Sequence, residues 1–283
     1  MNSSKYLVSG LTVAILLFAL FALAAAAQEK QEKKEVSYAV GPGAVISITN
    51  NYGPITVRPS GSKQVVVETL THSDDVALVN EQHGNRIELR SVSNRPGADL
   101  VDYTVMVPNA AFVSLRSSDG TLRAQGLRGD VLLEAASGSV EVTDISDSHL
   151  HVRTLSGPIT LTDIRNSHLD VHSVSGNVSL RNVTGPSVDI NSGTGRISYE
   201  GDPGRLGEYQ LSSHSGDLDI SIPANAWVRI NARSIKGQSD PEFANIDQRS
   251  TSGPQNLLLK PGTVIGSRFE VRSFSGKIHL KRP

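Results

Sequence analysis

VSLRSSDGTLRA (residues 113–124), VLLEAASGSVEV (131–142), LHVRTLSGPITL (150–161), LDVHSVSGNVSL (169–180) and VDINSGTGRISY (188–199) repeat one phrase, pivoting on Gly120, Gly138, Gly157, Gly176 and Gly195. The phrase returns as YQLSSHSGDLDI (209–220) and as FEVRSFSGKIHL (269–280). A step of 18 to 19 residues marks a solenoid, because each repeat is one supersecondary unit that buries its apolar face only by stacking on its neighbours. The fold expected is all-β: a single-stranded parallel β-helix, or β-solenoid, with coils of about 19 residues.

Positions seven and five before each glycine are apolar, as in Val113 and Leu115, Leu150 and Val152, or Val188 and Ile190. Positions two and four after it alternate in the same way, as in Val140 and Val142 or Ile159 and Leu161. Each phrase is therefore two half-buried strands around a bend. Leu127, Ile145, Ile164 and Val183 supply a third inward residue. Three residues before the glycine the inward side chain is small (Ser117, Ala135, Thr154, Ser173, Ser192, Ser213), which suits a narrowing corner. The Ser-Gly bend is expected to use glycine for its access to positive φ and serine for local backbone bonding. Parallel stacking turns every column into a ladder, so Arg116, Glu134 and Arg153, and likewise Arg123 and Glu141, should pair as solvated salt ladders.

Residues 1–27 carry Lys5 and then LLFALFALAAAA within an apolar run, which reads as a secretory signal peptide cut near Ala27. The run is also long enough to remain as a membrane anchor. Residues 28–35 (QEKQEKKE) read as a charged tether, and 36–283 as the solenoid: opening coils or cap over 36–110, regular coils over 111–222, then an irregular coil, a loop and a terminal coil over 223–283. VISITNNYGPITV (45–57) is the same phrase around Gly53, and VVVETL (65–70), RIELRSV (86–92) and DYTVMVP (102–108) read as further strands. Cysteine is absent, which removes disulfides, a lipoprotein anchor, thiol catalysis and Cys-ligated zinc. A formal net charge of −1 gives no basis for nucleic-acid binding.

NNYGPITV (50–57), VDYTVMVP (101–108), the reiterated Ser-Gly units and VRSFSGKIHL (271–280) together resemble the bacterial putative-adhesin family of unknown function, a relative of the auto-transporter adhesin head domain. The resemblance covers 36–283. It implies an exported β-solenoid of the cell envelope, periplasmic, surface-bound or secreted, with no catalytic residues to carry over.

No nucleophile elbow, zincin helix, P-loop or dinucleotide fingerprint occurs, so no catalytic, cofactor or metal residue is assigned and no cofactor is expected. Asp144 and Asp163, one coil apart and followed by Asn182 in the same column, are the carboxylates that a β-helix glycosidase or polysaccharide lyase would use. They equally suit corners that satisfy backbone N–H groups. His149, His151, His168 and His172 fall in two consecutive coils near Asp170 and Asp189. That places imidazoles and carboxylates on one exposed face, within metal-ligand reach or as a plain polar ladder. The loop over 239–255, with Phe243 among polar residues, reads as a contact element or a cap. The function expected is a non-enzymatic adhesin-like scaffold binding an unknown envelope protein or extracellular polymer, and touching a membrane only if residues 1–27 stay uncleaved. A β-helix carbohydrate-active enzyme and a ligand-sensing envelope module are the alternatives.

Overall fold

The computed structural model describes residues 32–73, 75–93, 100–236, 239–241, 255–258 and 266–281. Their regular structure is all strand, in two twelve-stranded sheets. In hydrogen-bonding order the first runs Glu32–Ala39, Gln64–Thr71, Val101–Pro108, Ile55–Ser60, Leu122–Gln125, Val140–Thr143, Ile159–Thr162, Val178–Arg181, Ile197–Glu200, Leu218–Ser221, Ile278–Lys281 and Ser239–Pro241. The second runs Gln255–Leu258, Val228–Ser234, Ser267–Ser273, Glu208–Ser213, Ser187–Ser192, His168–Ser173, His149–Thr154, Val131–Ala135, Phe112–Ser117, Val45–Asn50, Arg86–Ser93 and Val76–His83. Each coil gives one strand to each sheet and pairs in parallel with the next, Val131 opposite Leu150 and Leu150 opposite Leu169. This is the β-solenoid expected from the repeat.

The predicted inward columns form the core: Leu115, Leu133, Val152, Val171 and Ile190 are fully buried, as are Leu127, Ile145, Ile164 and Val183. Where the step lengthens between Gly195 and Gly216, larger side chains fill the interior. Tyr209 stacks on Phe269 at 4.4 Å and Tyr199 packs edge-on against both. Buried phenols need acceptors. Tyr199 donates to the Val183 carbonyl at 2.9 Å and Tyr209 to that of Pro203 at 2.8 Å. Burial pushes the Tyr209 hydroxyl up to about 12 and raises that of Tyr199 as well.

The reason for the glycine column differs from the one expected. Apart from Gly53, at φ +92°, these pivots are not in the left-handed region. What they require is space: a Cβ on Gly157 would lie 1.9 Å from the Gly138 carbonyl oxygen, and one on Gly176 2.0 Å from that of Gly157. Each coil's bend thus rests on the carbonyl of the bend before it. The small residue at the corner has a bonding role too. Ser173 and Ser192 donate to the carbonyls of Gly176 and Gly195, whereas Ser117 and Ser213 accept from the N–H of Gly120 and Gly216, all at 2.8 to 3.0 Å. The serine preceding the glycine bonds the neighbouring coil rather than its own turn, as Ser175 does to the Leu155 carbonyl at 3.1 Å.

The stacking order departs from chain order at both ends. Coil 45–60 lies between coil 86–108 and coil 112–125, and coil 267–281 lies between coil 208–221 and the strands at 228–234 and 239–241. Asn50 fastens the first of these insertions. Fully buried, it donates to the carbonyls of Gly53 and Val101 at 3.1 and 2.7 Å and accepts from Ser91 at 2.5 Å. Antiparallel strands cover the ends: Glu32–Ala39 on Gln64–Thr71, Val76–His83 on Arg86–Ser93, and Gln255–Leu258 on Val228–Ser234. Residues 32–35, assigned to the tether, are therefore paired in an edge strand. Residues 1–27, the rest of the tether, and loop residues 242–254 with Phe243 lie outside the described residues. Among those described, no helix is long and apolar enough to cross a membrane.

Gly157→Ala is expected to cost about 3 kcal/mol or more, since its methyl displaces a backbone carbonyl inside a packed stack. Ser156→Ala, which loses only a 3.4 Å bond to the Ala136 carbonyl, should cost about 1 kcal/mol or less. Urea unfolding of residues 28–283 measures both; equal losses would remove the carbonyl contact as the reason for the glycine.

Candidate functional site

The outward columns of the second sheet carry most of the chemistry singled out in the sequence. His149 and His168 stack in register at 5.0 Å, with their ring planes 14° from parallel. His149 Nδ1 lies 3.1 Å from Asp130 Oδ1. Asp170 takes His151 Nδ1 on one oxygen at 3.2 Å and His172 Nε2 on the other at 2.9 Å. The four histidines thus share a face, as expected. They do not share a point: each of three is turned to a carboxylate, and among the described residues no three His, Asp or Glu side chains form a group able to hold a metal ion. These pairings follow the plain polar ladder, the other reading open at this face; parity fixes the face of a strand residue, not where its ring nitrogen is aimed.

Asp144, Asp163 and Asn182 occupy a corner on the other side of the coil, with φ of 55°, 56° and 53°. Gly126 and Gly201 hold the same corner in the flanking coils, also at positive φ, where Asp, Asn and Gly are tolerated and bulkier residues are not. Asp144 accepts from Arg165 at 3.2 Å and Asp163 from Asn182 at 3.1 Å. A second corner of the same kind, Asp147 and Asn166, is linked at 2.7 Å. Its signal in the sequence was an Asp and an Asn 19 residues apart.

The salt ladders form as read. Arg116 reaches Glu134 at 2.5 Å, with Arg153 on its far side at 3.9 Å, and Arg123 reaches Glu141 at 2.9 Å.

Beside the first ladder lies a feature that the repeat concealed. The residue two before each glycine stands where the chain leaves the second sheet, and in stacking order this edge reads Asn51, Ser118, Ala136, Leu155, Val174, Gly193, His214, Phe274, Ile235. Leu155 and Val174 are 57% and 55% exposed and Ile235 is 61% exposed. Phe274 stacks on His214 at 5.0 Å, and Lys236 Nζ lies 4.8 Å over its ring. Two shallow depressions border this ridge. One, of about 440 Å³, runs between Arg116, Glu134 and Arg153 on one side and Ala136, Leu155 and Val174 on the other. The second, of about 360 Å³, lies among Asn231, Arg233, Ile235, Glu270 and Arg272. Two apolar pairs, Leu155 with Val174 and Phe274 with Ile235, thus lie along one edge of the solenoid, separated by Gly193 and His214 and spanning five coil steps, roughly 24 Å at the spacing of paired strands. Isolated exposed apolar residues are ordinary, but aligned ones mark a surface that something covers.

Asp189 sits directly across from Asp170 in the next coil. Loss of solvation, reinforced by the Asp170 charge and opposed by His172, raises its carboxyl above the usual value. A carboxyl raised on folding contributes its stability below the unfolded value and loses it as pH rises through the folded one. Asp189→Asn is therefore expected to raise the melting temperature at pH 7 and to leave it unchanged at about pH 3, where the unfolded carboxyl is also protonated. Equal shifts at both pH values would contradict the Asp170–Asp189 repulsion.

No curated protein matches the chain in sequence. Three solved structures resemble it in outline. A Bacteroides fragilis protein described as a putative adhesin shares 15% identity over 90% of this chain and 99% of its own, with a TM-score of 0.46. A putative cell adhesion protein from Clostridium sporogenes shares 12% over 89% and 100%, with a TM-score of 0.30. A putative lipid binding protein from Parabacteroides distasonis shares 14% over 89% and 97%, with a TM-score of 0.38. The family model described as Toastrack DUF4097 matches residues 44–280. That match takes in the coil around Gly53, every glycine-pivoted repeat and the inserted coil near the C-terminus, and the chain belongs to the Toastrack DUF4097 family.

Proposed function

We propose that this chain is a non-enzymatic, exported, adhesin-like scaffold of the cell envelope, which presents one long rigid face to a partner. The observation that carries the reading is the ridge of Leu155, Val174, Phe274 and Ile235 beside Arg116, Arg153, Arg272 and Arg233. A solenoid holds such a row at fixed spacing, and many weak contacts along it sum to useful avidity. Export is supported by the apolar, Lys-started segment 1–27, with its Ala-rich end. Among the described residues the buried core runs from Val40 to Leu280.

Catalysis at the corner carboxylates is disfavoured by their surroundings. Asp144 and Asp163 are held in left-handed corners and already bonded to Arg165 and Asn182.

Immobilised residues 28–283 should retain an envelope component. Arg153→Ser with Leu155→Ser should abolish retention, while Arg123→Ser on the opposite sheet should leave it intact. Pectin, alginate and other acidic glycans should not be turned over, with or without calcium. Saturable glycan cleavage removed by Asp144→Asn or Asp163→Asn would overturn the reading in favour of a β-helix enzyme.

A further inference from the structure

We infer that the arginine-flanked ridge is a docking edge for an anionic lipid surface, and this rests on the scaffold reading above. The ridge residues belong to the bend between the two sheets, so their side chains stand on an edge of the body rather than inside a cleft. Leu155 and Val174 form one apolar step and Phe274 and Ile235 another, about 14 Å from Val174 to Phe274 over three coil steps. Both steps have arginines beside them, Arg116 and Arg153 sharing Glu134, and Arg233 next to Arg272, which pairs with Glu270, so each keeps a net positive charge; the second also has Lys236. Apolar side chains level with cations on one line are what the boundary between headgroups and acyl chains accommodates: the hydrocarbon enters a short distance, and guanidinium groups meet phosphate oxygens.

Other occupants fit less well. A second copy laid on this edge would bring the four arginines of each chain against only Glu134 and Glu270 of the other, and so leave an excess of positive charge between them. An extended peptide repeats its side chains every two residues, roughly 6.6 Å, and slips out of step with rungs about 4.8 Å apart. A soluble acidic polymer satisfies the arginines but leaves Leu155, Val174 and Ile235 in water. Nor does Phe274 offer a sugar a ring to stack on, since one face meets His214 and the other Lys236. A flat anionic leaflet satisfies both kinds of side chain at once. The inference departs from the sequence expectation, in which only residues 1–27 could reach a membrane.

Residues 28–283, which contain the whole described core, should co-sediment with vesicles of phosphatidylcholine plus phosphatidylglycerol and only weakly with phosphatidylcholine alone. Raising the salt concentration, or substituting Arg153→Gln with Arg233→Gln, should reduce the bound fraction about tenfold. Leu155→Ser with Val174→Ser should do the same without moving the melting temperature, because both side chains lie outside the core. Equal binding to both vesicle types overturns the inference, as does unaltered binding by the Leu155/Val174 variant. So does release of the protein from vesicles by a soluble acidic glycan that still binds the ridge variants. If vesicles are not bound while retention of an envelope component still depends on Arg153 and Leu155, the lipid inference falls and the scaffold reading stands.

Discussion

The structure depends on one repeated backbone contact, the carbonyl oxygen of each pivot glycine lodged where the next coil's glycine has no Cβ. That approach sets how closely successive bends stack, and the strands on either side of a bend can pair in parallel only if the bends keep the same spacing. Once they do, each column of the repeat becomes a ladder. Inward columns close into a continuous core, and outward columns bring Arg116 to Glu134, His151 to Asp170 and Leu155 to Val174. The hydroxyls of Ser117, Ser173 and Ser192 reinforce the same corner by bonding the glycine backbone that would otherwise lie buried without a partner.

Much of this was legible because period-two alternation within a 19-residue step constrains parity strongly. Val113, Val152 and Ile190 had to face in, and Gly53 could be recognised as a pivot 67 residues ahead of Gly120. The role of the glycines was misjudged because a sequence column reports that a side chain is absent without saying whether φ or a neighbouring backbone forbids it. Here both occur: Gly126 and Gly201 serve the left-handed corner, whereas Gly138 and Gly157 serve the close approach. Strands Glu32–Ala39 and Val76–His83 were not foreseen because, as edge coverings, they carry charge and little apolar alternation. The ridge was missed for a different reason. Phe274 and Ile235 are neighbours only in stacking order, so reading the columns in chain order separates them.

The aromatic trio shows how the stack absorbs irregularity. Between Gly195 and Gly216 the step exceeds the usual one, and the wider interior is filled by Tyr199, Tyr209 and Phe269 in place of aliphatic residues. The Tyr209 hydroxyl reaches the Pro203 carbonyl within the enlarged segment and that of Tyr199 the Val183 carbonyl of the coil before, so the two tyrosines fill the volume and bond the main chain around it.

The inserted coils alter what it means for this solenoid to have ends. In a stack built in chain order, the last rung can fray by itself, and the remainder keeps its contacts. Here coil 267–281 is paired on both sides, and its outer neighbour, at 228–241, precedes it in the chain. During synthesis or threading from the N-terminus, strand 228–234 has only the antiparallel Gln255–Leu258 to pair with, and no parallel rung joining it to the stack, until 267–281 arrives. That end of the molecule closes as a latch in one late step. Once closed, coil 267–281 can leave only by breaking its ladders to both neighbours together, whereas in the first sheet the strand outside it, Ser239–Pro241, is paired on one side alone.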